Sequence, residues 1–92
     1  MSRPQCPRTI AHSPPATYFK PAGIPLRDLT EIALAPDELE ALRLADCEDL
    51  YHTDAAKRMG ISRQTFDRII RRGRQKVSRA LVHGHALRVE NA

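Results

Sequence analysis

Residues 53–70 read TDAAKRMGISRQTFDRII, with small, apolar and turn-forming residues at the intervals that two packed helices require. Ala56 is small enough for the two helices to cross closely, and Gly60 lies four residues later, where a tight turn needs positive φ. The stretch therefore predicts two helices joined by a tight turn, the first capped by Thr53 and ending at Met59.

The second of these helices is predicted to be long. Ser62 caps its first turn, and apolar residues keep three- and four-residue spacing as far as His83, where Gly84 ends the helix. This length is about 21 residues, or roughly 30 Å at ~1.5 Å per residue. The apolar positions are Phe66, Ile69, Ile70, Val77, Ala80 and Leu81. Gly73 lies on the same face, where it either permits a close helix crossing or marks a bend.

A further helix and a proline-rich segment precede this pair. Pro36 suits the first position of a helix, and the apolar residues that follow it predict a helix over residues 36 to about 46. Six of the seven prolines lie in the first 25 residues, which excludes a helix or a central strand there. We therefore expect a partly extended, proline-rich N-terminal arm over residues 1–34 and a helix-turn-helix domain over residues 35–92.

Short extended pieces are expected near both ends of the chain. Residues 8–10 and 17–19 can be extended, and residues 86–90 alternate between apolar and polar side chains like a strand. Residues 86–90 can pair with residues 8–10 as a two-stranded β-ribbon. The expected fold class is all-α, with three helices to which the arm and a short terminal β-ribbon are added.

The net charge is modest, but its distribution along the chain is uneven. The formal net charge is +4. Residues 27–54 hold nine acids and two bases, whereas residues 57–79 hold nine bases and one acid. This division predicts that one element of the fold meets a polyanion. With no signal-peptide pattern and no membrane-spanning apolar stretch, a cytoplasmic protein without membrane contact is expected.

Helical spacing predicts which side chains of the long helix point outward. Motifs of this type insert the start of their second helix into the major groove of DNA. Side chains that can bond to base edges there are Arg63, Gln64, Thr65 and Asp67. Side chains suited to backbone phosphates, which position a protein without reading sequence, are Ser62, Arg68, Arg71, Arg72, Arg74 and Lys76. Each residue alone is better explained as solvated surface or as a cap, but their combination with the glycine turn favours DNA binding.

Other kinds of chemistry have weaker support in the sequence. Cys6 and Cys47 lie far apart, and neither they nor the four histidines have the spacing of a zinc site. Nothing resembles a nucleophile–base pair, a phosphate-binding loop or a carboxylate dyad. We therefore expect no bound metal, no cofactor and no enzymatic activity.

Four segments together resemble a known family of small bacterial and archaeal proteins. They are FKP at residues 19–21, DELEALRLAD at 37–46, AAKRMGISRQTF at 55–66 and ALVHGHALR at 80–88. These segments are similar to domain-of-unknown-function family 134 over nearly the whole chain. The resemblance implies a DNA-binding protein whose helix-turn-helix is similar to region four of housekeeping sigma factors.

Three hypotheses follow, in order of preference. The first is a transcriptional regulator without catalytic activity that binds double-stranded DNA sequence-specifically, as a homodimer because one helix reads only a few base pairs. The second is a protein-interaction adaptor with a region-four-like fold, which contacts RNA polymerase or another regulator through the acidic helix. The third is a metal- or redox-responsive regulator that uses Cys6, Cys47 and the histidines.

Overall fold

The computed structural model describes residues 9–11 and 13–91, which form three strands and three helices. The strands are β1 (Tyr18–Phe19), β2 (Glu31–Leu34) and β3 (Ala86–Val89), and the helices are α1 (Pro36–Leu42), α2 (His52–Met59) and α3 (Arg63–His83). A single 3-10 turn, Leu26–Asp28, precedes β2, and a π-helical segment, Arg43–Cys47, continues α1. The described residues are therefore mostly helical, with a small sheet.

The ends of α3 are set by local sequence. The Ser62 hydroxyl accepts a hydrogen bond from the Thr65 amide at 3.1 Å and so caps the first turn. Gly84 ends the helix in the left-handed conformation with φ 70°, as Gly60 does at the end of α2. Both ends of α3 lie where the sequence predicts them. The prediction that Thr53 caps α2 is wrong, because α2 begins at His52.

The helix predicted over residues 36–46 is confirmed, although its second half is wound more widely. Pro36 occupies the first helical position, and the Glu38 carboxylate accepts a hydrogen bond from the Ala35 amide at 2.8 Å. The helix then widens into the π-helical segment. The Leu50 amide donates to the Leu44 carbonyl at 3.0 Å and closes the connection towards α2.

The core lies where the three helices meet. Its buried residues are Ala41, Leu44, Ala45, Ala55, Ala56, Met59, Phe66, Ile69 and Ile70. Leu81 keeps the three- and four-residue spacing of the apolar face of α3, but its side chain is 79 % exposed. In the last turns of α3 the buried residue is Ala80.

Gly73 marks a close helix crossing, which answers a question that the sequence leaves open. A Cβ atom at this position would lie 3.3 Å from the Glu38 carbonyl oxygen and 3.4 Å from Cγ of Leu42. Those atoms belong to α1, so the missing side chain lets α1 and α3 approach each other.

The sheet corrects the expected all-α class. β3 lies in the centre, antiparallel to β1 and parallel to β2. The strand predicted at residues 86–90 is present, but its predicted partner, residues 8–10, is wrong. The Thr9 amide instead donates to the Met59 carbonyl at 3.0 Å, at the end of α2, and Arg8 lies outside the described residues.

Candidate nucleic-acid interface

The side of α3 that points away from the core carries a row of polar and basic side chains. We call this row the outer face of α3; its members are Gln64, Arg68, Arg71, Gln75 and Arg79, all exposed. They recur every three or four residues, opposite the buried positions of the same helix. Fifteen helical steps separate the first member from the last, or about 22 Å at ~1.5 Å per residue.

The cations of the outer face have few partners in the part of the chain that the structure describes. Among residues 9–11 and 13–91, no hydrogen bond or ion pair involves the side chains of Arg71 or Arg79. Within the same residues, the Arg68 side chain contacts only the Thr65 hydroxyl, at 3.4 Å. Lys57, in the last turn of α2, is likewise exposed and without a partner in the described part of the chain. No carboxylate in the described part of the chain therefore neutralises the positive charge at this surface.

The first turn of α3 is held by polar contacts. The hydroxyls of Ser62 and Thr65 lie 3.0 Å apart in a hydrogen bond that adds to the Ser62 cap. Asp67 contacts two side chains, since one carboxylate oxygen lies 2.8 Å from Nδ1 of His52 and the other 3.7 Å from Nε of Arg63. The start of α3 is thereby linked to the start of α2.

Arg72 and Lys76 lie on the flank of α3 that faces α1, where both contact Glu38. Glu38 is 2 % exposed, and its carboxylate oxygens accept hydrogen bonds from Nε of Arg72 at 3.3 Å and Nζ of Lys76 at 2.8 Å. Nζ of Lys76 also donates to the Ala33 carbonyl at 2.8 Å. Burial alone raises the pKa of the Glu38 carboxyl, but hydrogen bonds from Lys76, the Ala35 amide and Arg72 outweigh burial and lower it.

Arg74 lies on the opposite flank of α3, where it pairs with the π-helical segment. Its guanidinium makes two hydrogen bonds to Asp46, of 3.1 and 2.7 Å. These hydrogen bonds lower the pKa of the Asp46 carboxyl and raise that of Arg74. Like the Glu38 contacts, this pair fastens α3 to the segment that precedes α2.

Removing the buried charge of Glu38 is expected to destabilise the fold. Glu38→Gln should lower the free energy of unfolding at pH 7 by about 1–2 kcal/mol, because a charged acceptor between two cations becomes neutral. Since folding lowers the pKa of Glu38, its contribution is complete above the unfolded value of about 4.3 and is lost as pH falls through the folded value. Urea unfolding at pH 7 and pH 3 measures both effects.

The control for this substitution is Glu90→Gln, which removes an exposed carboxylate that contacts only Arg88, at 3.7 Å, among the described residues. It should leave stability almost unchanged. The difference in the free energy of unfolding between wild type and Glu38→Gln should be smaller at pH 3 than at pH 7. An equal difference at both pH values would mean that the Glu38 charge does not contribute to stability.

The structure divides the ten residues that the sequence selects into three groups. Gln64, Arg68 and Arg71 belong to the outer face. Those at the start of α3, held by mutual or capping contacts, are Ser62, Arg63, Thr65 and Asp67. Those bonded to carboxylates of α1 or of the π-helical segment are Arg72, Arg74 and Lys76.

Sequence reasoning missed four residues that this surface or its support contains. They are Gln75 and Arg79 of the outer face, Lys57, and Glu38, whose role is to hold two cations of α3. Continuing the helical period from Gln64 along α3 would have found the first two. No sequence signal places Glu38 beside residues 34 and 38 positions away.

Neither a metal site nor a membrane span is found in the described part of the chain. Residues 9–11 and 13–91 contain no cluster of three potential metal ligands, while Cys6 and His12 lie outside them. His83 and His85 have ring centroids 5.8 Å apart at the end of α3. Within the same residues, no helix combines the length and apolarity needed to cross a bilayer.

Comparison with known proteins identifies a family. A UPF0251 protein of Desulforudis audaxviator is 57 % identical over 90 residues, which cover 98 % of this chain and 59 % of the relative. One from Moorella thermoacetica is 54 % identical, and the match covers 60 % of it, so the chain spans about three fifths of the length of these relatives. One from Vibrio vulnificus is 55 % identical over 91 residues, with 91 % of the relative covered.

No solved structure matches the chain. A family model described as "Protein of unknown function DUF134" matches residues 1–92. The family suggested by the sequence segments is therefore confirmed: the chain belongs to the DUF134 family, and the relatives named above are UPF0251 proteins.

Proposed function

We propose that this protein binds double-stranded DNA and regulates transcription without catalysing a reaction. In this proposal α2 and α3 form a helix-turn-helix, and the first half of α3 enters the major groove. The observation that carries the proposal is the outer face of α3, whose cations have no carboxylate partner among residues 9–11 and 13–91 and line the exposed side of the helix. DNA is the polyanion that such a row fits, because a major groove about 12 Å wide admits a single α-helix.

Within the proposal, two side chains in the first turn of α3 read bases, and cations further along the helix bind phosphates. Arg63 and Gln64 lie in the first turn, and their side chains can each make two hydrogen bonds to one base. Arg68, Arg71 and Arg79 follow on the exposed side, where a straight helix leaves the groove and passes the phosphate backbone. Contacts of this second kind supply affinity but little sequence preference.

The proposal narrows the set of phosphate-binding residues that the sequence suggests. Arg72, Arg74 and Lys76 each bond to a carboxylate, which offsets the positive charge that they offer to a phosphate. Such a cation gains less free energy from a phosphate than a cation that contacts no carboxylate. We therefore assign these three side chains to the packing of α3 and assign phosphate binding to Arg68, Arg71, Arg79 and Lys57.

A homodimer is part of the proposal, because one recognition helix reads too few base pairs to select a site. Two apolar side chains at the end of α3, Leu81 and Val82, are 79 % and 75 % exposed. Leu81 also lines a shallow groove with Phe19, which is 55 % exposed. Clustered apolar side chains of this kind are candidates for contact with a second copy.

The adaptor hypothesis, including a contact to RNA polymerase, has less support. It relies on the acidic helix as an exposed contact surface, but Glu38 and Glu40 are only 2 % and 3 % exposed. Asp46 is paired with Arg74. Much of the acidic charge that an adaptor would offer is therefore used inside the protein.

Fluorescence anisotropy with random duplex DNA across a salt series tests the proposal. If the four assigned cations each neutralise one phosphate, the slope of log K against log salt should be roughly −3.6, at ~0.9 per contact. Double-stranded RNA of the same sequences should bind more weakly, because side chains cannot read its deep, narrow major groove. On a selected palindromic site, titration should give two chains per duplex. Absence of binding at low salt would overturn the proposal.

A further inference from the structure

We infer that Asp67 and His52 position Arg63 for base reading, so that His52 determines the sequence specificity of the site although it belongs to α2. This inference rests on the proposed function. It departs from the sequence-based prediction for Asp67, because an aspartate that holds an arginine is not itself a base reader.

The two oxygens of the Asp67 carboxylate face different partners. Oδ1 lies 2.8 Å from Nδ1 of His52, and Oδ2 lies 3.7 Å from Nε of Arg63. A carboxylate only accepts hydrogen bonds, so Nδ1 of His52 carries the proton in this contact. With one oxygen fixed by His52, the other is turned towards Arg63, whose guanidinium lies one helical turn earlier on α3.

His52 is itself held in place from two directions. Its ring packs edge-on against the buried Phe66 ring, with centroids 5.2 Å apart at 62°. His52 is also the first residue of α2, so the helix holds its backbone. The imidazole therefore fixes the Asp67 carboxylate relative to the core and to α2.

The consequence concerns specificity more than affinity. Arg63 is 60 % exposed and has many rotamers available. An arginine reads guanine well only when its planar guanidinium meets O6 and N7 together. A carboxylate near Nε restricts the orientations of that plane and leaves the terminal nitrogens free for the base, which lowers the ordering cost of recognition.

His52→Phe tests the inference, because it keeps an aromatic ring against Phe66 and removes the hydrogen bond to Asp67. The experiment uses the full chain, a duplex selected by the wild-type protein, and a random duplex. His52→Phe should reduce the ratio of selected to random affinity by about five- to tenfold, near the low end of what a bidentate arginine–base contact contributes. Affinity for the random duplex should stay within twofold, and the preference should be lost at one base pair.

A double-mutant cycle separates positioning from a structural role. With Arg63→Ala already present, His52→Phe should have no further effect on the ratio, since the side chain that it positions is absent. Thermal unfolding of each variant shows whether the fold is retained. Asp67→Asn should lower the ratio as His52→Phe does. Its matched control is Glu90→Gln, which removes another exposed carboxylate 3.7 Å from an arginine and should leave the ratio unchanged.

The outcomes distinguish this inference from the proposed function. Suppose that wild type binds both duplexes, but His52→Phe lowers the affinity for both equally. The positioning role is then overturned and DNA binding stands. The same holds if His52→Phe lowers the affinity ratio equally in the presence and absence of Arg63. If wild type binds neither duplex, both fail. Arginine Nε–H signals in NMR spectra test the contacts without DNA. The Arg63 signal should shift in His52→Phe, and an unchanged signal would contradict the link from His52 through Asp67 to Arg63.

Discussion

Replacing Arg68 and Arg71 together by glutamine is expected to weaken binding to random duplex DNA by about 60-fold at 0.1 M salt. Each phosphate contact contributes roughly 0.9 to the slope of log K against log salt, so two lost contacts correspond to ~1.8 log units between 0.1 and 1 M. The slope itself should become less steep by about 1.8. Anisotropy titrations at several salt concentrations measure both quantities.

The matched control is Arg72→Gln with Arg74→Gln, which removes the same charge from the same helix. These two arginines bond to Glu38 and Asp46, so their loss should change the salt slope little. Equal losses of affinity and slope in the two double variants would show that the ion pairs open on binding. The distinction between the outer face and the flanks of α3 would then be wrong.

A large side chain at Gly73 is expected to destabilise the fold more than Glu38→Gln does. Gly73→Leu should lower the free energy of unfolding by about 3 kcal/mol, because the added atoms meet the α1 backbone and force the two helices apart. Gly73→Ala should be nearly neutral, since a gain of up to ~1 kcal/mol in helix propensity is offset by Cβ contacts of 3.3 and 3.4 Å with Glu38 and Leu42.

Chemical unfolding of wild type, Gly73→Ala and Gly73→Leu at one pH measures these differences in the free energy of unfolding. A glycine that only marks a bend would behave differently: alanine would stabilise the fold by about 1 kcal/mol, and leucine would be tolerated. That pattern would contradict the close crossing of α1 and α3. Displacement of α1 by leucine should also weaken the Glu38 contacts, so Gly73→Leu and Glu38→Gln should not be additive.

The helices are the part of the fold that sequence reasoning predicts well, because their signals are local. α3 begins after Ser62 and ends at Gly84 as expected, and each end depends on a few neighbouring residues. β2 was missed, because its pairing with β3 joins Glu31 to Ala86 across most of the chain. A four-residue strand has too little pattern of its own to predict such a partner.

The candidate site was only partly predictable for a similar reason. Residues exposed on α3 follow from helical periodicity, and Gln64, Arg68 and Arg71 are found in this way. Periodicity does not show which cations are neutralised, because Glu38 meets Lys76 across 38 residues. The contact between His52 and Asp67 likewise requires the packing of α2 on α3, which places the two rings of His52 and Phe66 together.

NMR of the 15N-labelled chain during titration with a short DNA duplex shows directly whether DNA contacts the outer face of α3. We expect the largest amide and arginine Nε–H shifts at Arg63, Gln64, Arg68 and Arg71. Smaller shifts should follow at Lys57 and Arg79, and β1 to β3 should be almost unaffected. Shifts confined to α1 and the π-helical segment, or none at saturating duplex, would contradict DNA binding through the outer face of α3.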